Sequence, residues 1–322
     1  MSSHQPNQQN QQNQQNQQNQ HQQHQPAHAH AHAHGHAHAH GHGHAPAADL
    51  DWDALAAYLE QEADLRAGAV TEAARWLAGL AGEGAVRRVL DVGSGPGVIA
   101  GMLADAFPAA EVVAVDQSPA LLERARTRSG GRLRTQQADL PAEFGKLGEA
   151  DLIWSGNAIH HLGDQQAALT ALGERLRPGG LLAVAESGLP PRFLPRDFGL
   201  GRPGFQARLD AAHEDGFSAM RAELPDATEE VEDWPAMLRR AGLTPSGTRT
   251  FLVDHPAPLA RPVREYLHAQ LDRRRDQLAE VLTAEDRATL DALLDEDAPT
   301  GILNRPDAFY LSAMTVHTAR RP

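Results

Sequence analysis

The chain has 322 residues, a net charge of −13 and no cysteine. Disulfides, zinc–thiolate centres and thiol nucleophiles are therefore excluded, and an acidic body argues against nucleic acid or an anionic membrane as partner. No apolar run approaches the roughly 20 residues of a bilayer span and the start lacks the basic-then-apolar order of a secretory signal, so the expected setting is cytoplasmic.

Residues 1–48 contain no Lys, Arg, Asp or Glu. A Gln/Asn tract is followed by a His at every second position from His28 to His44. So little apolar surface cannot offset the entropy of ordering, and a disordered tail is expected. Imidazoles spaced this closely bind divalent metals incidentally. A catalytic centre needs a few ligands in fixed geometry, and no metal site is assigned.

The rest, 49–322, is expected to form one domain. Its parts are N-terminal helices (49–84), a cofactor-binding core (85–187), and cap helices with the last strands (188–322). Apolar residues at helical spacing, Leu55, Tyr58, Leu59, then Val70, Ala73, Ala74 and Leu77, predict one or two helices over 51–80. Short apolar strands then alternate with helices: strand 88–92, helix 98–107, strand 111–115, helix 119–129, strand 133–137, strand 151–154, a helix from Gln165, and strand 181–186. That alternation predicts a parallel sheet covered on both faces. The second half is less regular, with helices over 202–223, 228–241, 259–282 and 284–294 and strands over 248–253 and 308–318. Helical insertions there suit a cap above the C-terminal edge of the sheet, where open α/β folds bind ligands. Trp52, Trp76 and Trp234 fall in helices outside the core motifs and are expected to pack in the core.

The first strand ends in Asp91, and Gly93, Gly95 and Gly97 follow at alternate positions. Glycine admits positive φ and has no Cβ, so the backbone can lie against a ligand there. The dinucleotide fingerprint G-x-G-x-x-G would need a third glycine where Val98 stands. Asp116, ending the second strand, suits a ribose-binding acid in a dinucleotide or a sulfonium-cofactor fold alike.

Leu90-Asp-Val-Gly-Ser-Gly-Pro-Gly97, Val115-Asp-Gln-Ser-Pro119, Gln137-Ala-Asp-Leu140 and Ile153-Trp-Ser-Gly-Asn-Ala-Ile-His-His-Leu162 resemble the successive motifs of class I S-adenosylmethionine-dependent methyltransferases. Arg175-Leu-Arg-Pro-Gly-Gly-Leu181 is similar to the turn before that family's fifth strand. The resemblance spans roughly 90–186 in the correct order. It implies a Rossmann-like, seven-stranded, mostly parallel sheet with an antiparallel last strand, helices on both faces and a helical cap from insertions. The cofactor it implies is S-adenosyl-L-methionine. Gly93, Gly95 and Gly97 would form the loop under its methionine and ribose, and Asp91 would support that loop and the ammonium side. Asp116 would accept from both ribose hydroxyls. Asp139 would receive the adenine amino group with the Leu140 backbone beside the ring, and Ser155 would sit at the methionine portion.

Methyl transfer is an in-line displacement that needs mainly positioning and exclusion of water. A hydroxyl acceptor also needs a base, and His160 and His161 after the fourth strand are the candidates for proton transfer. The alternative for that pair is packing at the start of the next helix. The expected function is methylation of a small molecule at oxygen, nitrogen or carbon, with no nucleic-acid or membrane partner. An NAD(P)-dependent oxidoreductase with an unusual glycine loop and a non-catalytic cofactor or metal binder remain as alternatives.

Overall fold

The computed structural model describes residues 52–82, 84–186 and 188–322. The expected tail at 1–48 and the side chain of Trp52 lie outside the described residues.

Among the described residues two helices precede the sheet, α1 (Trp52–Leu65) and α2 (Ala67–Ala81). The sheet then builds through β1 (Arg88–Val92), α3 (Val98–Ala106), β2 (Glu111–Asp116), α4 (Pro119–Arg128), β3 (Arg134–Gln137) and β4 (Ala150–Gly156). It continues with α5 (Gln165–Glu174), β5 (Leu176–Ala185) and β6 (Gly188–Arg192). The last third holds α6 (Phe205–Ala222), α7 (Trp234–Arg240), β7 (Thr244–His255), α8 (Arg261–Gln277), α9 (Ala284–Leu294) and β8 (Tyr310–Arg320).

β3, β2, β1, β4 and β5 run parallel in that order, and β8 pairs antiparallel with β5. β7 pairs antiparallel with β8 on its other side. Seven strands were expected and the described residues form eight. The added strand is β6, which continues the line of β5 past Glu186 and pairs with the first half of β8 through Gly188↔Met314 and Leu189↔Ala313. Pro190 and Pro191 give it no alternating pattern by which a strand could be read.

Alternate residues of each strand feed two cores. Val89, Leu152 and Trp154 pack with α2, α3 and α8 on one face. Leu90, Val92, Ile153 and Leu182 pack with α5 and α7 on the other. Leu90, Ile153 and Leu182 are fully buried, each contributing about 1.5–3 kcal/mol. Trp234 is buried in the second core, and Trp76 packs against the first with its ring tilted on Phe251.

The helix expected over 228–241 is shorter, and its start has a local cause. Asp233 caps α7 by accepting the Ala236 N–H at 3.0 Å, and Pro235 occupies the first turn. The preceding residues instead form a strap, with Thr228 N–H donating to the Gly163 carbonyl. No described helix is long and apolar enough to cross a membrane.

Candidate active site

The loop between β1 and α3 is fixed by the neighbouring strand. The Gly93 and Ser94 N–H groups both donate to the Val115 carbonyl, at 2.9 and 3.0 Å. Gly93 and Gly97 have φ of 77° and 74°. A Cβ on Gly93 would stand 2.4 Å from the Ala158 Cβ, and one on Gly97 would stand 2.5 Å from the Ala125 Cβ of α4. Neither position admits a side chain, so the loop packs against the turn after β4 and against α4 at backbone distance.

Asp116 closes this loop. Its Oδ2 accepts the Gly95 N–H and its Oδ1 the Ser118 N–H, both at 2.9 Å. Burial raises its pKa, and backbone hydrogen bonds from Ser118, Gly95 and Gln117 act in the opposite sense. Asp91 is 2% exposed and its Oδ2 has no hydrogen-bond partner; the Ser94 hydroxyl of the glycine loop is also buried and unpartnered. Burial first, and the charge of Asp116 second, push the Asp91 carboxyl up to about 7. A buried carboxylate with an unused oxygen is costly unless something completes it.

The remaining sites read from sequence divide into two groups. Ala138 N–H donates to the Asp116 carbonyl at 3.0 Å, which brings Asp139 and Leu140 to the same edge. Asp139 is exposed and its N–H donates to Glu143, while Leu140 is half-buried against the second core. Ser155 is fully buried and its hydroxyl donates to the Val92 carbonyl at 3.2 Å, so its side chain is used within the sheet.

His160 and His161 lie on a short 3-10 turn, Ile159–His161, after β4. Sequence reasoning missed the residue that organises this turn. Glu186, at the end of β5 and 2% exposed, accepts the Ala158 and Ile159 N–H groups with Oε1 at 2.8 and 2.9 Å. Its Oε2 meets His160 Nδ1 at 2.7 Å. The available signal was a carboxylate ending an apolar strand, as Asp91 and Asp116 do. Burial alone would depress the His160 pKa; the charge and hydrogen bond of Glu186 outweigh it, and the net shift is upward. The His161 ring packs on His160 at 4.1 Å between centroids.

The cap covers this turn from above. One face of α6 carries Gln206, Asp210, His213, Phe217 and Arg221 at helical spacing. Phe217 sets its ring edge-on to His160 at 5.4 Å, and Arg221 donates to the His160 carbonyl. His213 is held down to about 4 by burial and by Arg274.

Over the glycine loop lies α1. Leu59 Cδ1 stands 3.6 Å from the Cβ that Gly95 lacks, and Glu60 grips Arg124 of α4 through two contacts of 2.9 and 3.1 Å. Next to Leu59, Tyr58 stacks on Tyr266 of α8 at 5.3 Å. Tyr310 stands edge-on to Tyr266 at 6.3 Å, and Arg66, paired with Glu62 at 2.8 Å, completes the group. Tyr310 begins the antiparallel β8, so it lies at the same edge of the sheet as the glycine loop. Its hydroxyl is buried facing the Arg66 guanidinium, and Gln270 Oε1 is buried without a partner.

Residues 89–180 match a family model described as a methyltransferase domain. The chain is 34% identical to a trans-aconitate 2-methyltransferase of Methylobacterium nodulans over 206 residues, 63% of this chain and 73% of that protein. It is 39% identical over 111 residues to a trans-aconitate 2-methyltransferase of Deinococcus radiodurans, spanning 34% of this chain and 42% of that relative's length. A crystal structure of human N-acetylserotonin methyltransferase in complex with SAM aligns with 61% of this chain and 50% of that one, at 18% identity and a TM-score of 0.40.

Proposed function

The chain belongs to the class I S-adenosylmethionine-dependent methyltransferases, and from that premise we propose that it methylates a carboxylate oxygen of a small organic acid. S-adenosylmethionine, when bound, supplies an activated methyl group on a sulfonium. In this reading 85–187 is the donor-binding core and the segments around it supply the acceptor cap.

The observation that carries the donor site is the unused, buried oxygen of Asp91, at the end of the strand that leads into the glycine loop. A cationic ammonium group is the partner such a carboxylate lacks. Gly93, Gly95 and Gly97 hold the loop, and Asp116 is the acid for the ribose hydroxyls. Asp139 and the Leu140 backbone meet the adenine, and the Ser155 backbone lies toward the methionine portion. The oxidoreductase alternative loses its ground once the family is established.

The acid is supported by two features. Both Methylobacterium and Deinococcus relatives are trans-aconitate 2-methyltransferases. Arg66 and the Tyr310 hydroxyl that faces it also offer donors of the kind a carboxylate takes. An ionised carboxylate has no proton to lose, so His160 acts as a hydrogen-bond donor to the acceptor, and its raised pKa favours the protonated form. His161 supports its ring.

The test is titration with S-adenosylmethionine together with turnover on trans-aconitate, read as S-adenosylhomocysteine release. Asp116→Asn should weaken donor binding roughly tenfold or more. Donor binding without turnover on trans-aconitate, citrate or other small polycarboxylates would sink the acceptor assignment and leave the donor site standing.

A further inference from the structure

Odd-numbered residues of β8 share one face of the sheet. Toward the end of the strand that face is covered: Ala319 lies in the core with Trp234 and Leu238 of α7, and His317 is buried. Toward its start the face is bare. Leu189 and Leu252 flank Ala313 in one row across β6, β8 and β7, and they are 64% and 60% exposed. Arg192 and Asp254 flank Leu311 in the next row. Leu311 is itself exposed, so three of the five large exposed apolar side chains among the described residues fall on this patch. Clustering of that kind marks an interaction surface.

Residues 1–48 contain no Leu, Ile, Val, Phe, Tyr or Trp, so the tail has little beyond alanine with which to cover an apolar sheet. The charges point elsewhere. Arg192 and Asp254 are exposed on opposite flanks of Leu311, and among the described residues neither enters an ion pair. A two-fold axis running along β8, between two stacked sheets, exchanges the flanks. It sets Arg192 against Asp254 of the second copy twice over, Leu189 against Leu252, and Leu311 against its own mate. Stacked sheets tolerate nearly aligned strands at about 10 Å separation.

We propose that this bare β6–β8–β7 face is the interface of a symmetric homodimer whose register is set by reciprocal Arg192–Asp254 pairs. The geometry is isologous, and one patch serves both copies. The opening of the donor loop is at the other end of the sheet order, toward β1 and β2, so the interface leaves it uncovered.

Sedimentation velocity on the full chain at micromolar concentration tests the proposal. A dimer is expected. Leu252→Glu should disrupt it, and Arg192→Asp should weaken it roughly tenfold or more by placing like charges opposite one another. Arg192→Asp combined with Asp254→Arg should restore it, because the axis then sets opposite charges against one another again, with their positions exchanged. Both charged positions are exposed and unpaired, so the monomeric variants should keep the wild-type far-UV circular dichroism, and their melting temperature should fall only by the stabilisation that association gives the folded state. A monomer throughout, a dimer indifferent to Arg192→Asp, or a double swap that fails to restore association would each overturn the proposal. So would a full-length monomer that dimerises once 1–48 are removed, since the tail would then be the covering segment.

Discussion

Glu186 divides its carboxylate between two tasks: Oε1 fixes the Ala158 and Ile159 N–H groups, and Oε2 holds His160 Nδ1 at 2.7 Å. The same group therefore shapes the turn after β4 and sets the charge of the imidazole on it. In Glu186→Gln the charge disappears and burial prevails, so the His160 pKa should fall below its ordinary value. An NMR pH titration of the His160 ring resonances reads this directly. The stability that wild-type protein gains from this pair is present below the unfolded-state pKa of about 6.5. It is lost as pH rises through the elevated folded-state pKa. A His160 resonance that titrates identically in both proteins would mean that the carboxylate does not govern it.

His160 as a donor to an acid also fixes the sign of the rate profile. With trans-aconitate, kcat/KM should fall as pH rises through the His160 pKa, because the donating proton is lost. A base would give the opposite slope. A rising limb that vanishes in His160→Gln would return the residue to a proton-accepting role.

Asp91 carries a second pH signature. Its folded-state pKa of about 7 stands above the unfolded value, so the folded protein is penalised progressively as pH rises from about 4 to about 7. Asp91→Asn should raise stability at pH 8 by about 2–4 kcal/mol, seen in denaturant unfolding, while weakening S-adenosylmethionine binding. Donor binding to wild type should release a proton near neutral pH, and calorimetry in buffers of different ionisation enthalpy should find none from this site in the variant. Lower stability of Asp91→Asn at pH 8 would show the carboxylate to be satisfied in the fold.

The parts legible in sequence were those whose physics is local. β1, the glycine turn and Asp116 announce themselves because an apolar strand ends in residues chosen for backbone approach and charge. The limits of α7 were missed because one Asp cap and one Pro outweigh a helical pattern of apolar residues. β6 was missed because Leu189 pairs with Ala313, more than 120 residues away, and its own five residues have no strand signature. Glu186 and the Tyr58–Tyr266–Tyr310 group are tertiary in the same sense. Each residue is ordinary in its own segment, and only the register of β5, β8 and α8 brings it to the site.

The glycine loop predicts a contrast within one helix. Gly97→Ala adds positive-φ strain of about 1–2 kcal/mol and a collision with Ala125, for a total loss of about 2–4 kcal/mol. Gly101, in the interior of α3, has no neighbour within 4 Å of its missing Cβ. There the same substitution should stabilise by about 0.5–1 kcal/mol through helix propensity. Chemical denaturation of the two variants side by side checks both signs, and equal effects would mean that the loop is looser than its contacts imply.

Glu60 and Arg124 connect α1 to α4 across the loop at partly exposed positions. A pair of that exposure is worth less than about 1 kcal/mol to global stability, so Glu60→Ala should leave the melting temperature nearly unchanged. Its effect should appear in donor release, because α1 carries the Leu59 contact that covers Gly95. Stopped-flow dissociation of S-adenosylhomocysteine should accelerate about two- to fivefold. An unchanged dissociation rate would remove α1 from any role as a cover.

The acceptor assignment meets its sharpest test at Tyr310 and Arg66. Tyr310 is fully buried and its hydroxyl faces Arg66, which can only donate, so the hydroxyl proton has no acceptor among the described residues. Tyr310→Phe gives up the contact with Arg66 along with the unused proton, so the variant should stay within about 1.5 kcal/mol of wild type. A carboxylate that uses the hydroxyl would lose a charge-assisted bond, and KM for trans-aconitate should rise roughly tenfold. Donor affinity should stay unchanged, because the glycine loop and Asp116 are untouched. Arg66→Lys keeps the charge but loses the planar fork, and it should raise KM in the same direction. If both variants bind S-adenosylmethionine and turn over trans-aconitate as wild type does, the three-tyrosine group is packing, and the acid must be held under α6 beside His160 and His213.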